Sequence, residues 1–191
     1  IILCGGNSLR MGTPHHALRF GDQTALQRLV DTVSPLVQNV VVVTAPAQPI
    51  DAPSHERVAH DRIPDQGPHE GVRAGWEALP DNLSSAFICS CDLPLLTGKV
   101  VERLFAATLD WDAAVPVEGA RAHALCAVYA GRTRQTVNDL RDQQVRQMGQ
   151  LLTQLRVRRI PTDQFRDIDP ALGSFLNVNT PEDYARAVAC L

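Results

Sequence analysis

Lysine is nearly missing from this chain of 191 residues: seventeen of its eighteen basic residues are arginine, and Lys99 stands alone. A site that needs a fixed cation must take it from arginine or borrow it from histidine. An excess of positive charge is missing as well. The formal net charge is −3, which argues against a general nucleic-acid binder with a basic face. No apolar run approaches the roughly 18 residues of a membrane span, and no signal peptide is visible. The chain opens at Ile1, without methionine and inside a strand-like run, so a short N-terminal piece is expected before it. The five cysteines are odd in number, and Cys4, Cys89 and Cys126 sit in apolar runs. That is the pattern of a reduced, cytoplasmic protein more than of a disulfide framework. Cys89 and Cys91 lack a second pair at zinc-ligand spacing. The dinucleotide fingerprint G-x-G-x-x-G and the P-loop ending G-K-[ST] are both absent, against a hydride-transfer enzyme and a P-loop ATPase.

What is present is ordinary in bulk: 45% hydrophobic and 20% charged residues, as in soluble globular proteins. Apolar strand-like runs alternate with segments of helical spacing. "NVVVVTA" is a continuous β-branched run, as expected of a strand buried on both faces. "SSAFICSC" is a second such run, and Leu26, Leu29, Val30 and Val33 mark a helix between the first strand and "NVVVVTA". The order predicts an α/β fold in three layers, a mostly parallel sheet with helices on both faces. "FLNVNT" reads as a short strand before a closing helix that starts at Pro181. With no repeat, low-complexity tract or linker in view, residues 1–191 are expected to form one domain.

Four stretches can carry chemistry. The first, "LCGGNSLRMG", places Gly5, Gly6 and Gly12 in a loop between a strand and a helix. Glycine exposes backbone N–H groups that wrap phosphate oxygens, and the Arg10 guanidinium can grip a phosphate through two bonds. The bland alternative is a plain glycine-rich turn. The second is "CSCDLP", where Asp92 lies just past the end of a buried strand, the place where open α/β sheets bind ligands. A carboxylate there suits magnesium, although it also suits the cap of the next helix. In the third, "FLNVNTPEDY", Asn177 and Asn179 alternate and so share a face, while Thr180 also reads as an N-cap. The fourth, "HDRIPDQGPHEG", sets Asp61 and Asp65 before a Gly-Pro turn and a helix, weak evidence alone because turns are made of such residues.

Together these motifs resemble the molybdenum cofactor guanylyltransferases, within the GT-A-type, Rossmann-like nucleotidyltransferases. The resemblance runs through Leu3-Cys4-Gly5-Gly6, Arg10-Met11-Gly12, Asp61 with Gly67-Pro68-His69-Glu70-Gly71, Cys91-Asp92-Leu93-Pro94 and the Asn-Val-Asn-Thr-Pro-Glu run at 177–182. It implies that Leu3, Cys4, Gly5 and Gly6 hold a nucleotide, with Arg10 on its phosphates. Asp61 would accept hydrogen bonds from guanine. Asp92 would bind Mg2+ with Asn179, and Asn177, Asn179 and His123 would face the acceptor. The implied reaction is attack by the terminal phosphate of molybdopterin on the α-phosphorus of GTP, releasing pyrophosphate. No membrane or nucleic acid is implied, and a molybdoenzyme or a cofactor-assembly protein would receive the product.

One departure matters. The family's lysine falls at His16 and the acidic position before it at His15. A histidine with an ordinary pKa of about 6.5 is only partly charged near neutrality, though a phosphate beside it favours the protonated form. Arg19, one turn on if the segment is helical, is a substitute cation. Two rival readings remain open: a nucleotidyltransferase using CTP or another phosphate acceptor, and a nucleotide-binding homologue that lost turnover with its lysine.

Overall fold

The computed structural model describes residues 1–5, 12–46, 50, 57–61 and 67–191. Gly6 and Arg10 lie outside the described residues. Ten strands are present among them: β1 (Ile2–Leu3), β2 (Arg19–Phe20), β3 (Gln23–Thr24), β4 (Val41–Thr44), β5 (Arg57–His60), β6 (Ser85–Ser90), β7 (Ala113–Glu118), β8 (Arg121–Ala122), β9 (Cys126–Ala130) and β10 (Val157–Pro161). The helices are α1 (Ala25–Val33), α2 (Pro68–Glu77), α3 (Gly98–Ala107), α4 (Thr133–Asp142), α5 (Met148–Thr153) and α6 (Pro181–Val188).

The main sheet runs β5-β4-β1-β6-β9-β7-β10, and β8 pairs with β7. β5, β4, β1 and β6 are mutually parallel, β9 is antiparallel to both its neighbours, and β10 is parallel to β7. Alternate side chains of each strand feed opposite layers. Ile2, Val42 and Cys89 pack with Leu26 and Leu29 of α1 and Val100 and Leu104 of α3. Leu3, Val43 and Ile88 pack on the other face with Val72 and Trp76 of α2, Leu140 of α4 and Leu151 of α5. Two apolar faces on one sheet explain why the strands read as unbroken apolar runs.

Local chemistry fixes the helix starts. Thr24 caps α1 by accepting from the Gln27 N–H while the Gln27 side chain accepts from the Thr24 N–H. Thr180 does the same with Asp183 ahead of Pro181, so the N-cap reading of Thr180 holds. α2 begins at Pro68 behind Gly67, whose φ of 76° lies in the glycine-favouring region. A Cβ on Gly67 would also sit 2.8 Å from the Arg146 carbonyl oxygen.

Two expectations are corrected. "FLNVNT" is not a strand: Gly173–Phe175 form a 3-10 turn, and 176–180 run irregularly into α6. Its apolar alternation survives because Val178 is buried with Phe20 and Leu18, while its backbone N–H is spent on the Asp92 carbonyl at 2.8 Å. Arg19 is not on a helix either. The 3-10 turn His15–Ala17 ends before it, and Arg19 lies on the β2–β3 hairpin, donating to the Asp22 carbonyl at 2.7 Å. No helix among the described residues is long and apolar enough to cross a membrane.

Candidate active site

The chain passes from β1 outward to β4 and β5, then returns to β6 on the far side of β1. Such a reversal opens a crevice at the carboxyl ends of the strands. Gly5, Asp61 and Asp92 follow β1, β5 and β6 directly, so parallel pairing brings them to one edge of the sheet.

On the β5 side, the Asp61 N–H continues the sheet ladder to the Thr44 carbonyl at 2.9 Å. Its carboxylate is wedged between two glycines. A Cβ on Gly5 would lie 3.2 Å from Oδ2, and one on Gly71 would lie 3.2 Å from Oδ1. Oδ1 is buried and has no hydrogen-bond partner among the described residues. Burial first, and the nearby Glu70 charge second, push the Asp61 carboxyl up to about 6, against smaller opposing effects of Arg73 and His60. Glu70 itself is 1% exposed and held by Arg73, whose Nε and Nη2 donate to it at 3.0 and 2.6 Å, with Arg141 at 3.4 Å behind. Removing one partner of so buried a pair typically costs about 3–5 kcal/mol, so the pair pins α2 and, with it, Gly71.

On the β6 side, Asp92 is half-buried and both its oxygens are engaged. The Ser90 hydroxyl donates to Oδ1, and the Asn177 amide donates to Oδ2 at 2.9 Å. Arg121, on β8, donates to the Asn177 Oδ1 at 2.6 Å. Because arginine only donates, this contact fixes which way the Asn177 amide faces. These residues and His123 line a cleft of about 540 Å³ that reaches across to α5 and Arg159, within the roughly 300–1,000 Å³ usual for small-ligand sites. His123 is buried, and its Nε2 has no hydrogen-bond partner among the described residues. Burial and then the Arg121 charge hold its pKa below the ordinary value.

The remaining sequence-predicted residues sit around these two acids. Leu3 and Cys4 are core residues; the Leu3 carbonyl accepts from Cys91 at 2.9 Å and the Cys4 N–H donates to Val43 at 2.7 Å. Gly5 is exposed at the crevice. Asn179 is exposed, and its N–H donates to Asp183 at 3.2 Å. His16 is 8% exposed; burial, then the charge of His15, lowers its pKa. Lys99 is exposed at the start of α3. Among the described residues no cluster of three or more His, Cys, Asp or Glu side chains is placed to hold a metal ion.

Sequence reading missed Ser90, Arg121 and Arg159. Ser90 carried a signal, since Ser-x-Asp at a strand end puts both side chains on one face. Arg121 and Arg159 carried none, because they reach the cleft through pairings remote in sequence.

Residues 1–159 match the MobA-like NTP transferase domain. The chain belongs to this family. A molybdenum cofactor guanylyltransferase of Desulfosudis oleivorans is 32% identical, the alignment covering 100% of this chain and 94% of that protein. A probable molybdenum cofactor guanylyltransferase of Bacillus mycoides is 29% identical over 98% of this chain and 94% of its own length. The fold agrees with solved structures. Molybdopterin-guanine dinucleotide biosynthesis protein A from Archaeoglobus fulgidus superposes with a TM-score of 0.81 at 22% identity, covering 99% of this chain and 96% of that one. The 2-C-methyl-D-erythritol 4-phosphate cytidylyltransferase from Thermus thermophilus gives 0.72 at 16% identity, with coverage of 100% and 97%. This member of the family is a nucleotidyltransferase on the mostly parallel α/β scaffold that its sequence predicts.

Proposed function

We propose that this transferase moves GMP from GTP to the terminal phosphate of molybdopterin, forming the guanine dinucleotide cofactor and releasing pyrophosphate. The observation that carries the reading is the buried Oδ1 of Asp61 between Gly5 and Gly71, which has no partner among the described residues. A buried acceptor without a donor is costly, and guanine supplies two adjacent donors, N1–H and the exocyclic amine. Cytosine presents an acceptor, N3, beside its amine and matches this carboxylate poorly. The names of the full-length relatives support the same choice of base and acceptor.

In this reading the backbone at 3–6 cradles the nucleotide, and Arg10 and His16 face its phosphates. An acceptor phosphate oxygen forms a bond to the α-phosphorus while the bond from that phosphorus to the bridging oxygen breaks, so pyrophosphate departs with the electron pair. Positioning and charge neutralisation supply the rate, without a covalent enzyme intermediate. Asp92 fits a divalent cation, because among the described residues its carboxylate meets only the neutral donors Ser90 and Asn177, and no cation offsets its charge. Magnesium suits one carboxylate plus amide and phosphate oxygens, with Asn179 as the amide side of that set. When bound, it neutralises phosphate charge. Asn177 and His123 face the acceptor. The site of action is cytoplasmic, no nucleic acid or membrane takes part, and the product passes to a molybdoenzyme or a cofactor-assembly protein. Residues 1–191 act as one nucleotidyltransferase domain, the N-terminal part on the nucleotide and the C-terminal part on the acceptor.

A competing reading, a nucleotide binder without turnover, draws on the buried, neutral-leaning His16. The test is pyrophosphate release from GTP, magnesium and molybdopterin, run beside calorimetric binding of GTP and CTP. Release by wild type with GTP preferred supports the transfer. Tighter binding of CTP overturns the base assignment, and release seen only in His16→Lys favours the non-catalytic reading.

A further inference from the structure

The cleft beside Asp92 extends well past the residues needed to hold a nucleotide's phosphates. Its far wall is α5, through Met148, Gly149 and Leu152, and its far end is Arg159 on β10. β10 pairs with β7 so that Arg159 lies opposite Val115. Ile160, the next residue, packs into the α1/α3 layer, so strand alternation turns Arg159 to the α5 side. There its side chain is exposed and makes no hydrogen bond or ion pair among the described residues. Gly149 is exposed and lines the same wall. A Cβ built on it would meet nothing within 4 Å, so no side chain covers that stretch of the wall. His123, whose buried Nε2 has no hydrogen-bond partner among the described residues, lines the same cleft.

We infer that Arg159 and the bare surface at Gly149 are specificity-determining elements for the acceptor. They form a subsite for the body of a phosphate monoester whose flat, polar heterocycle lies over α5 and meets the Arg159 guanidinium at its far end. The inference rests on the proposed transfer only in taking the acceptor to enter beside Asp92. The chemistry fits such a ligand: Met148, Leu152, Leu125 and the ring of His123 line the wall, and a guanidinium offers both a planar face for stacking and a forked set of donors. An arginine serving only to guard the edge strand would leave acceptor affinity untouched.

The test uses the full chain with GTP, magnesium and molybdopterin, comparing wild type with Arg159→Gln, Arg159→Lys and Gly149→Leu. Acceptor KM and kcat come from pyrophosphate release, and acceptor and GTP affinities come from calorimetry. Losing a charged hydrogen bond, Arg159→Gln should raise acceptor KM about tenfold or more, with GTP affinity held within about twofold. Arg159→Lys should recover part of the loss. Gly149→Leu should fill the cleft, weaken the acceptor at least as much and leave the melting temperature unchanged or higher. If wild type transfers GMP and both Arg159→Gln and Gly149→Leu keep the wild-type acceptor KM, the subsite is overturned while the transfer stands. If wild type shows no transfer yet binds molybdopterin in an Arg159-dependent way, the transfer reading fails and the subsite stands. Absence of both binding and transfer in wild type overturns both.

Discussion

The two acids at the crevice are prepared in opposite ways. Asp61 presents a buried oxygen without a partner among the described residues and has its pKa raised. Asp92 has both oxygens satisfied, by Ser90 and by an Asn177 that Arg121 holds in place. The difference is one of what each group waits for. An orphaned acceptor matches a ligand that brings N–H donors, whereas a carboxylate bonded by neutral donors is held in geometry for a cation and gives up weak bonds to receive it. Geometry therefore distinguishes the two ends, an acceptor without a partner among the described residues and a fully bonded carboxylate, and this difference supports the proposed split between reading the base and holding the metal.

The largest effect should come from breaking the second end. Asp92→Asn is expected to lower kcat by about 10²-fold or more, as when a group that stabilises transferring charge is removed, with GTP binding by calorimetry largely kept. Asp61→Asn should do the reverse. It should weaken GTP by about 10–100-fold through two charge-assisted bonds and, by removing a buried orphan charge, raise the melting temperature of the unliganded protein. A melting temperature that falls instead would show that Asp61 is internally satisfied.

A pH series sharpens the same contrast. Guanine needs the ionised carboxylate, so GTP affinity should fall below a pH of about 6, by about tenfold per unit for one proton, and Asp61→Asn should flatten that slope. Stability follows opposite signs. The raised pKa of Asp61 means its contribution is full below the ordinary aspartate range and is lost as pH rises toward about 6. The lowered pKa values of His16, His69 and His123 mean that theirs is present above 6.5 and is lost on acidification. Comparing melting curves of wild type and Asp61→Asn at several pH values isolates the first component.

At position 16, replacement by lysine should preserve or raise turnover, and His16→Ala should lower it by up to about tenfold, a typical size for one partly screened charge contact. Equal rates for wild type and His16→Ala would move the phosphate charge elsewhere. The smallest change is expected from Ser90→Ala, which removes one of two neutral donors on Asp92. It should cost about 1 kcal/mol, or a fewfold in rate, measured as kcat under saturating GTP.

The parts of the fold that announced themselves were those with two apolar faces or strong periodicity, such as "NVVVVTA" and the α1 stripe. The hairpin of β2 and β3 did not, because two-residue strands have no period to read. "FLNVNT" misled for a physical reason: Val178 needs burial in any conformation, so alternation appears whether the backbone pairs in a sheet or bonds to Asp92. Asp92 was legible as an acid past a strand end, and Asp61 only as an acid ahead of a Gly-Pro turn and a helix. Their contrast was not, since it depends on Gly5, Gly71, Ser90 and Arg121 arriving from other elements.

β5 pairs on one side with β4, and among the described residues no strand adds to its other side. Asp61, the acid proposed to read the base, thus hangs from the sheet's border, where amide protons exchange most readily. A nucleotide caught by Asp61 would act as the neighbour that β5 lacks, so deuterium uptake at 57–61 becomes a gauge of occupancy that needs neither acceptor nor turnover.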